Sequence, residues 1–334
     1  MEPTRNAPSS GRTFWGRVRH HTVELFLTAP SFLWMTFFFV IPTVLVFLLT
    51  FRPTTIDGGI GTGWTLQTWS TISNPNYPAI VWRTIWLSFV ATALCIGISL
   101  PCAFAMARTP SRWRSTLVGL VILPFWTSFL IRVFAWRVML HPEGWLSRVM
   151  HQTYCVFGWQ FQFLDPQTTL LYNSFAVLLV MVYTYLPFAI LPIYAAAEKF
   201  DFALVEAALD LGAKPTRAFL QTFVPGIKAG IFSAILMVLI PALGSYVIPD
   251  MVGGPNSEML GTKIYQRAIP DRNLPHASAL SALLMLGVLL PPGIAFLVTR
   301  KRHFGATETD VVASMGPDKN LGYSGGRRKN GVRA

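Results

Sequence analysis

Of the 334 residues, 52% are hydrophobic and only 13% are charged, well below the roughly 25% charged fraction of soluble globular chains. This excludes a water-soluble globular domain and places the chain in a bilayer. The formal net charge of +12 reads as contact with anionic lipid and as a topology signal, so membrane lipid is an expected partner and no nucleic acid is.

In chain order, residues 1–24 are polar, basic and unpatterned, and a disordered N-terminal segment is expected there. Uncharged runs then fill 25–51, 84–107, 166–197, 229–249 and 273–299, each near or above the ~20 apolar residues that cross a hydrocarbon core. A further apolar run, "STLVGLVILPFWTSFLI", follows Arg114 and meets Arg132 and Arg137. The expectation is an all-α membrane protein with six transmembrane helices, near 26–51, 84–107, 116–139, 170–194, 227–248 and 277–299, within a domain spanning 25–303. The first run is too long for a signal-peptide core and is expected to remain as a span. External loops of roughly thirty residues, with turn chemistry such as "DGGIGTG" and "GGPN", are expected to carry short helices. The tail 304–334, with "GYSGGRRKNGVRA", is again expected to be disordered.

With the N-terminus inside, the cytoplasmic segments hold 19 basic residues and the external loops 6, which puts both termini in the cytoplasm. Pro42, Pro101, Pro124, Pro187, Pro192, Pro241, Pro291 and Pro292 fall in or beside the spans and suggest bent helices. Cys95, Cys102 and Cys155 have no metal or redox spacing; packing is the expected role of the first two.

Between spans four and five, "EAALDLGAKPTRAFLQTFVP" (206–225) carries Glu206, Asp210, Lys214 and Arg217. On a helix beginning near Glu198, Phe200, Leu204, Ala207 or Ala208 and Leu211 form one apolar face. Gly212 follows where a left-handed cap suits glycine, and Pro215 can open a second helix. Helix, sharp turn and helix are expected, ended by Pro225 and Gly226.

The spacing Glu206, Ala207, Ala208, Gly212 and Pro225 resembles the signature loop of inner-membrane permease subunits of binding-protein-dependent ABC importers. "LPFWTSFLIRVFAW" (123–136), "YTYLPFAILPIY" (183–194), "VEAALDLGA" (205–213) and "GSYVIPDMVGGPNSEMLG" (244–261) resemble the first permease of spermidine/putrescine importers, over roughly 25–300. The resemblance implies a bacterial inner-membrane permease subunit whose cytoplasmic 195–226 loop, with Asp210 on it, forms coupling helices on an ATPase. It also implies a second homologous permease, two copies of the ATPase and a soluble external substrate-binding protein. Ser245 departs from the pattern, standing where putrescine-type relatives can carry a glutamate.

The chemistry missing from the sequence agrees. No glycine loop is followed by Lys and Ser or Thr at phosphate-cradling spacing; "GGPNSEMLGTK" has the wrong one. No cofactor is therefore expected on this chain, and ATP and magnesium belong to the partner ATPase. The six histidines are scattered, so neither an enzyme nor a metal site is expected. The spans lack carboxylates, which argues against a proton-driven carrier or a self-contained channel. Arg132 and Arg137 near the outer end of span three are read as structural, snorkelling to headgroups or orienting Asp250. Trp126, Tyr183, Tyr185 and Tyr246 can hold amines by cation–π attraction and, with Ser245 and Asp250, make up the expected translocation path for a polyamine. The alternative cargo is another small solute, such as an opine, an amino-acid derivative or ferric ion.

Overall fold

The computed structural model describes residues 28–55, 59–72, 76–149 and 170–304. The segment 1–24, nearly all of the 304–334 tail and Cys155 lie outside them. The helices are α1 (Thr28–Leu49), α2 (Gln67–Ile72), α3 (Asn76–Arg108), α4 (Ser111–Ile122), α5 (Phe129–Leu140), α6 (Ser174–Glu198), α7 (Ala203–Asp210), α8 (Pro215–Gly226), α9 (Lys228–Leu243), α10 (Val247–Val252), α11 (Leu260–Ala268) and α12 (Leu274–Phe304). Among the described residues the one extended pairing is an isolated bridge between Thr54 and Ile60. The chain is all-helical there, and the loops between apolar runs carry short helices such as α2 and α11.

Helices α1, α3 and α6 are each long and apolar enough to cross a membrane. The stretch expected as one span at 116–139 is instead a pair of helices bent by 84°. Its cause is local: Pro124 sits in a tight turn at Leu123–Trp126, and Thr127 (ψ 147°) and Ser128 (ψ 138°) then turn extended, so the helical hydrogen-bond ladder cannot continue. Proline alone does not have this effect. Helix α3 runs unbroken through Pro101, and α6 through Pro187 and Pro192. A second bend of 76° separates α8 from α9. The run expected at 277–299 lies within α12.

Helices α3, α6 and α9 pack against one another and form the core. On α9 the buried positions Gly230, Ala234, Val238 and Ala242 recur every four residues, a stripe of mostly small side chains. Lipid tails are as apolar as leucine, so close van der Waals packing through small residues is what joins helices in a bilayer. Gly230 shows how close: a Cβ there would strike the methyl of Ala196 and the carbonyl of Pro192. Cys95 is buried in this core, its thiol 3.7 Å from the Val182 carbonyl, as packing requires; Cys102 is exposed. No residue of α1 is buried, and Phe32, Trp34, Met35 and Phe39 are among its open side chains. A helix apolar all round needs lipid or another chain as its surroundings.

Candidate functional site

The segment after α6 is anchored at its start. Arg114, at the α3–α4 corner, donates to the carbonyls of Ala107 (2.7 Å) and Thr109 (2.8 Å) and stands 4.0 Å from the Glu198 carboxylate at the end of α6. The chain then turns, and Asp201 accepts from the Ala203 backbone N–H at 3.0 Å, so the next helix starts at Ala203 and not near Glu198. That restart changes the helical phase and splits the expected apolar face. Phe202, Val205, Ala208 and Leu209 turn inward, whereas Leu204, Ala207 and Leu211 lie exposed beside Glu206 and Asp210, Leu211 with 89% of its surface open.

Helix α7 ends as its sequence predicts. Gly212 has φ +83°, its N–H bonds to the Leu209 carbonyl at 2.9 Å and that of Ala213 to the Ala208 carbonyl at 3.0 Å. This pair of bonds is the Schellman cap, which satisfies the last carbonyls at the cost of one left-handed residue. Pro215 then opens α8, and Pro225 lies exposed in its last turn. Five phenylalanines bind this hairpin to the core: Phe200, Phe202, Phe219 and Phe223 from the loop and Phe104 from α3. The Phe104 ring lies 4.9 to 5.8 Å from those of Phe223, Phe219 and Phe202, mostly edge to face, as the ring quadrupole prefers. Gly226 has no side chain because the Phe200 ring occupies the place of one.

The residues expected along the path fall in several places. Tyr185 is buried, donates to the Pro241 carbonyl at 3.3 Å and interacts with the buried Ser245 side chain, so these two meet where α6 passes the end of α9. Tyr183, two residues along α6 and therefore on another face, meets Trp136 edge to face at 5.3 Å. Tyr246 stacks on Tyr265 at 5.2 Å. Trp126, at the α4–α5 break, is 84% exposed and Asp250 is exposed on α10. The Arg132 guanidinium folds over the Phe125 ring at 5.3 Å, with Nε and Nη1 buried and unpartnered among the described residues. No ion pair joins Asp250 to Arg132 or Arg137 among the described residues.

Residues 97–303, more than half of the chain, match the family described as the binding-protein-dependent transport system inner membrane component. The chain belongs to this permease family. It is therefore a transport component and a multi-pass inner-membrane protein. Among its relatives, the spermidine/putrescine transport system permease protein PotB of Haemophilus influenzae is 36% identical over 79% of this chain and 90% of its own length. PotB of Escherichia coli is 28% identical over 77% and 91%, and the inner membrane ABC transporter permease protein YdcU of Escherichia coli is 27% identical over 68% and 73%. The fold is also that of a chain in the crystal structure of a bacterial ABC transporter involved in the import of the acidic polysaccharide alginate. The TM-score is 0.61 at 16% identity, covering 86% of this chain and 98% of that one.

Sequence reasoning about this permease missed the phenylalanine cluster and the Tyr246–Tyr265 stack. The four-residue spacing of Phe219 and Phe223 was the available signal for the first. Their partner Phe104 is more than a hundred residues earlier, and only the fold brings it close.

Proposed function

We propose that the chain is the membrane-spanning subunit of an ATP-driven polyamine importer. It pairs with a second, similar permease and two copies of an ATPase, and receives putrescine or spermidine from a soluble external binding protein. The observation that carries this reading is the 36% identity along 90% of a spermidine/putrescine permease. In it the chain crosses the membrane six times with both termini cytoplasmic; the bent α4–α5 pair supplies one crossing, and α9, beyond the bend that follows the cytoplasmic α8, supplies another.

The 195–226 loop is the transmission joint, with Glu206, Ala207, Ala208, Asp210, Gly212 and Pro225 on it. Its support is geometric. Leu204, Ala207 and Leu211 offer an exposed apolar stripe, while the phenylalanine cluster ties the opposite side of the hairpin to α3. A push on the stripe is thus delivered to a core helix. ATP and magnesium act in the partner ATPase, whose closure drives alternating access. Of the residues assigned to the path, Trp126, Tyr183, Tyr246 and Asp250 offer exposed aromatic surface and one carboxylate to a linear cation, while Tyr185 and Ser245 are buried.

The test is uptake by the complex reconstituted in proteoliposomes with its binding protein. Unlabelled putrescine or spermidine is expected to compete with labelled putrescine. Competition by an opine or a ferric chelate, with none by either polyamine, would reject the polyamine assignment and leave the permease family intact.

A further inference from the structure

A cavity of about 370 Å³ opens between the first two turns of α3 and the Pro255–Arg267 segment. Its wall includes three cations, Arg83, Lys263 and Arg267, and one carboxylate, Glu258. Two of the cations are engaged. Lys263 pairs with Glu258 at 3.2 Å, and Arg267 pairs with Asp271 at 2.9 Å while reaching the Tyr77 hydroxyl at 3.4 Å. Arg83 is half-buried and makes no hydrogen bond or ion pair among the described residues, and the Arg267 Nε is buried with no partner. One positive charge is left over, that of Arg83, whose donors are uncommitted. Guanidinium donors out of bulk water call for an anion, and their fork suits phosphate best.

The depth of the cavity indicates which anion. Arg83 is the last charge before the uncharged run 84–107, so it marks where α3 enters hydrocarbon. On the adjoining face of α3, Trp82 is 67% and Trp86 55% exposed. Exposed tryptophans at the end of a span are the mark of the headgroup layer. One turn deeper, the Phe89 ring is exposed on the same side. We propose that this cavity holds the phosphate of an anionic phospholipid. The Arg83 fork grips the phosphate, and the acyl chains lie over Trp86 and Phe89. Lys263 remains with Glu258 and keeps that carboxylate from repelling the lipid.

The full chain, purified in detergent with its partner subunits, is given equal amounts of phosphatidylglycerol and phosphatidylcholine, and the retained lipid is counted by native mass spectrometry. Phosphatidylglycerol should be retained in preference. Arg83→Gln should lower that preference about fivefold, the weight of one basic side chain at an anionic surface, and Arg83→Lys should keep most of it. Arg83→Gln breaks no contact within the chain, so the complex should assemble as the parent does. An unchanged preference in Arg83→Gln overturns the proposal. So does displacement of the lipid by millimolar inorganic phosphate, which would make this a site for a free anion. A third result also overturns it: lipid retention unchanged in Arg83→Gln while stimulation by the external binding protein weakens, since the occupant would then be an acidic protein side chain.

Discussion

Gly212 concentrates the consequences of one backbone angle. Its φ of +83° costs glycine nothing, and a Cβ built there would meet nothing within 4 Å. A substitution therefore acts through the torsion alone, with a penalty of about 1 to 2 kcal/mol for a residue with a Cβ. Gly212→Val should leave the spans inserted and binding-protein recognition intact, while transport collapses and ATP hydrolysis no longer responds to loaded binding protein. Gly212→Asn, whose side chain tolerates the left-handed region, should retain part of the coupling. Glu206→Ala should be milder than Gly212→Val, and Thr216→Ser nearly silent. Uptake and ATPase assays on each variant in proteoliposomes provide the comparison, and normal coupled transport by Gly212→Val would reduce residues 206–225 to a connector. Gly212 and Pro215 were legible in the sequence because a cap and a helix start are local events. The inward face of α7 was not, because its phase depends on where α6 stops and Asp201 starts the next helix.

Among the elements, the apolar runs located the long helices well, since length and absence of charge are what a bilayer demands of them. The break at Thr127–Ser128 was hidden by the same criterion: an apolar stretch bent by 84° has the composition of a straight one. Prolines pointed in too many directions, because α3 and α6, packed on each other, hold their helical geometry through three of them. The packing of α9 on α6 gives a sharper handle. At Gly230 an added side chain must displace the Pro192 carbonyl, which is backbone and cannot swing aside. Gly230→Leu should therefore cost about 1 to 3 kcal/mol, as overpacking of a filled interface does, and appear as a lower thermal midpoint and poorer recovery of the complex in detergent. Gly97→Ala, whose methyl meets nothing within 4 Å in the chain, is the control expected to behave as the parent. Equal midpoints for Gly230→Leu and the parent would mean that α6 and α9 are not held at this spacing in the membrane.

At the scale of the whole molecule, one chain leaves much of its apolar surface without a partner. Helix α1 buries none of its residues, and the exposed stripe of α7 is apolar beside two acids. Both are what a subunit of a membrane assembly presents, and neither surface names its neighbour, which is why partner identity was legible only through resemblance. Orientation rests on a different kind of evidence, the 19 to 6 distribution of basic residues, which acts during insertion and leaves no contact behind in the fold. It makes a clear prediction for Asp210, exposed at the end of α7. With Cys95, Cys102 and Cys155 replaced, Asp210→Cys should resist a membrane-impermeant thiol reagent in intact cells and react fully once the membrane is opened. A cysteine at Trp64, an exposed position in the loop between α1 and α2, should react in both conditions. Labelling of position 210 from outside, with position 64 protected, would invert the molecule, put the capped hairpin on the face where no ATP is available, and remove the basis for reading it as the joint to an ATPase.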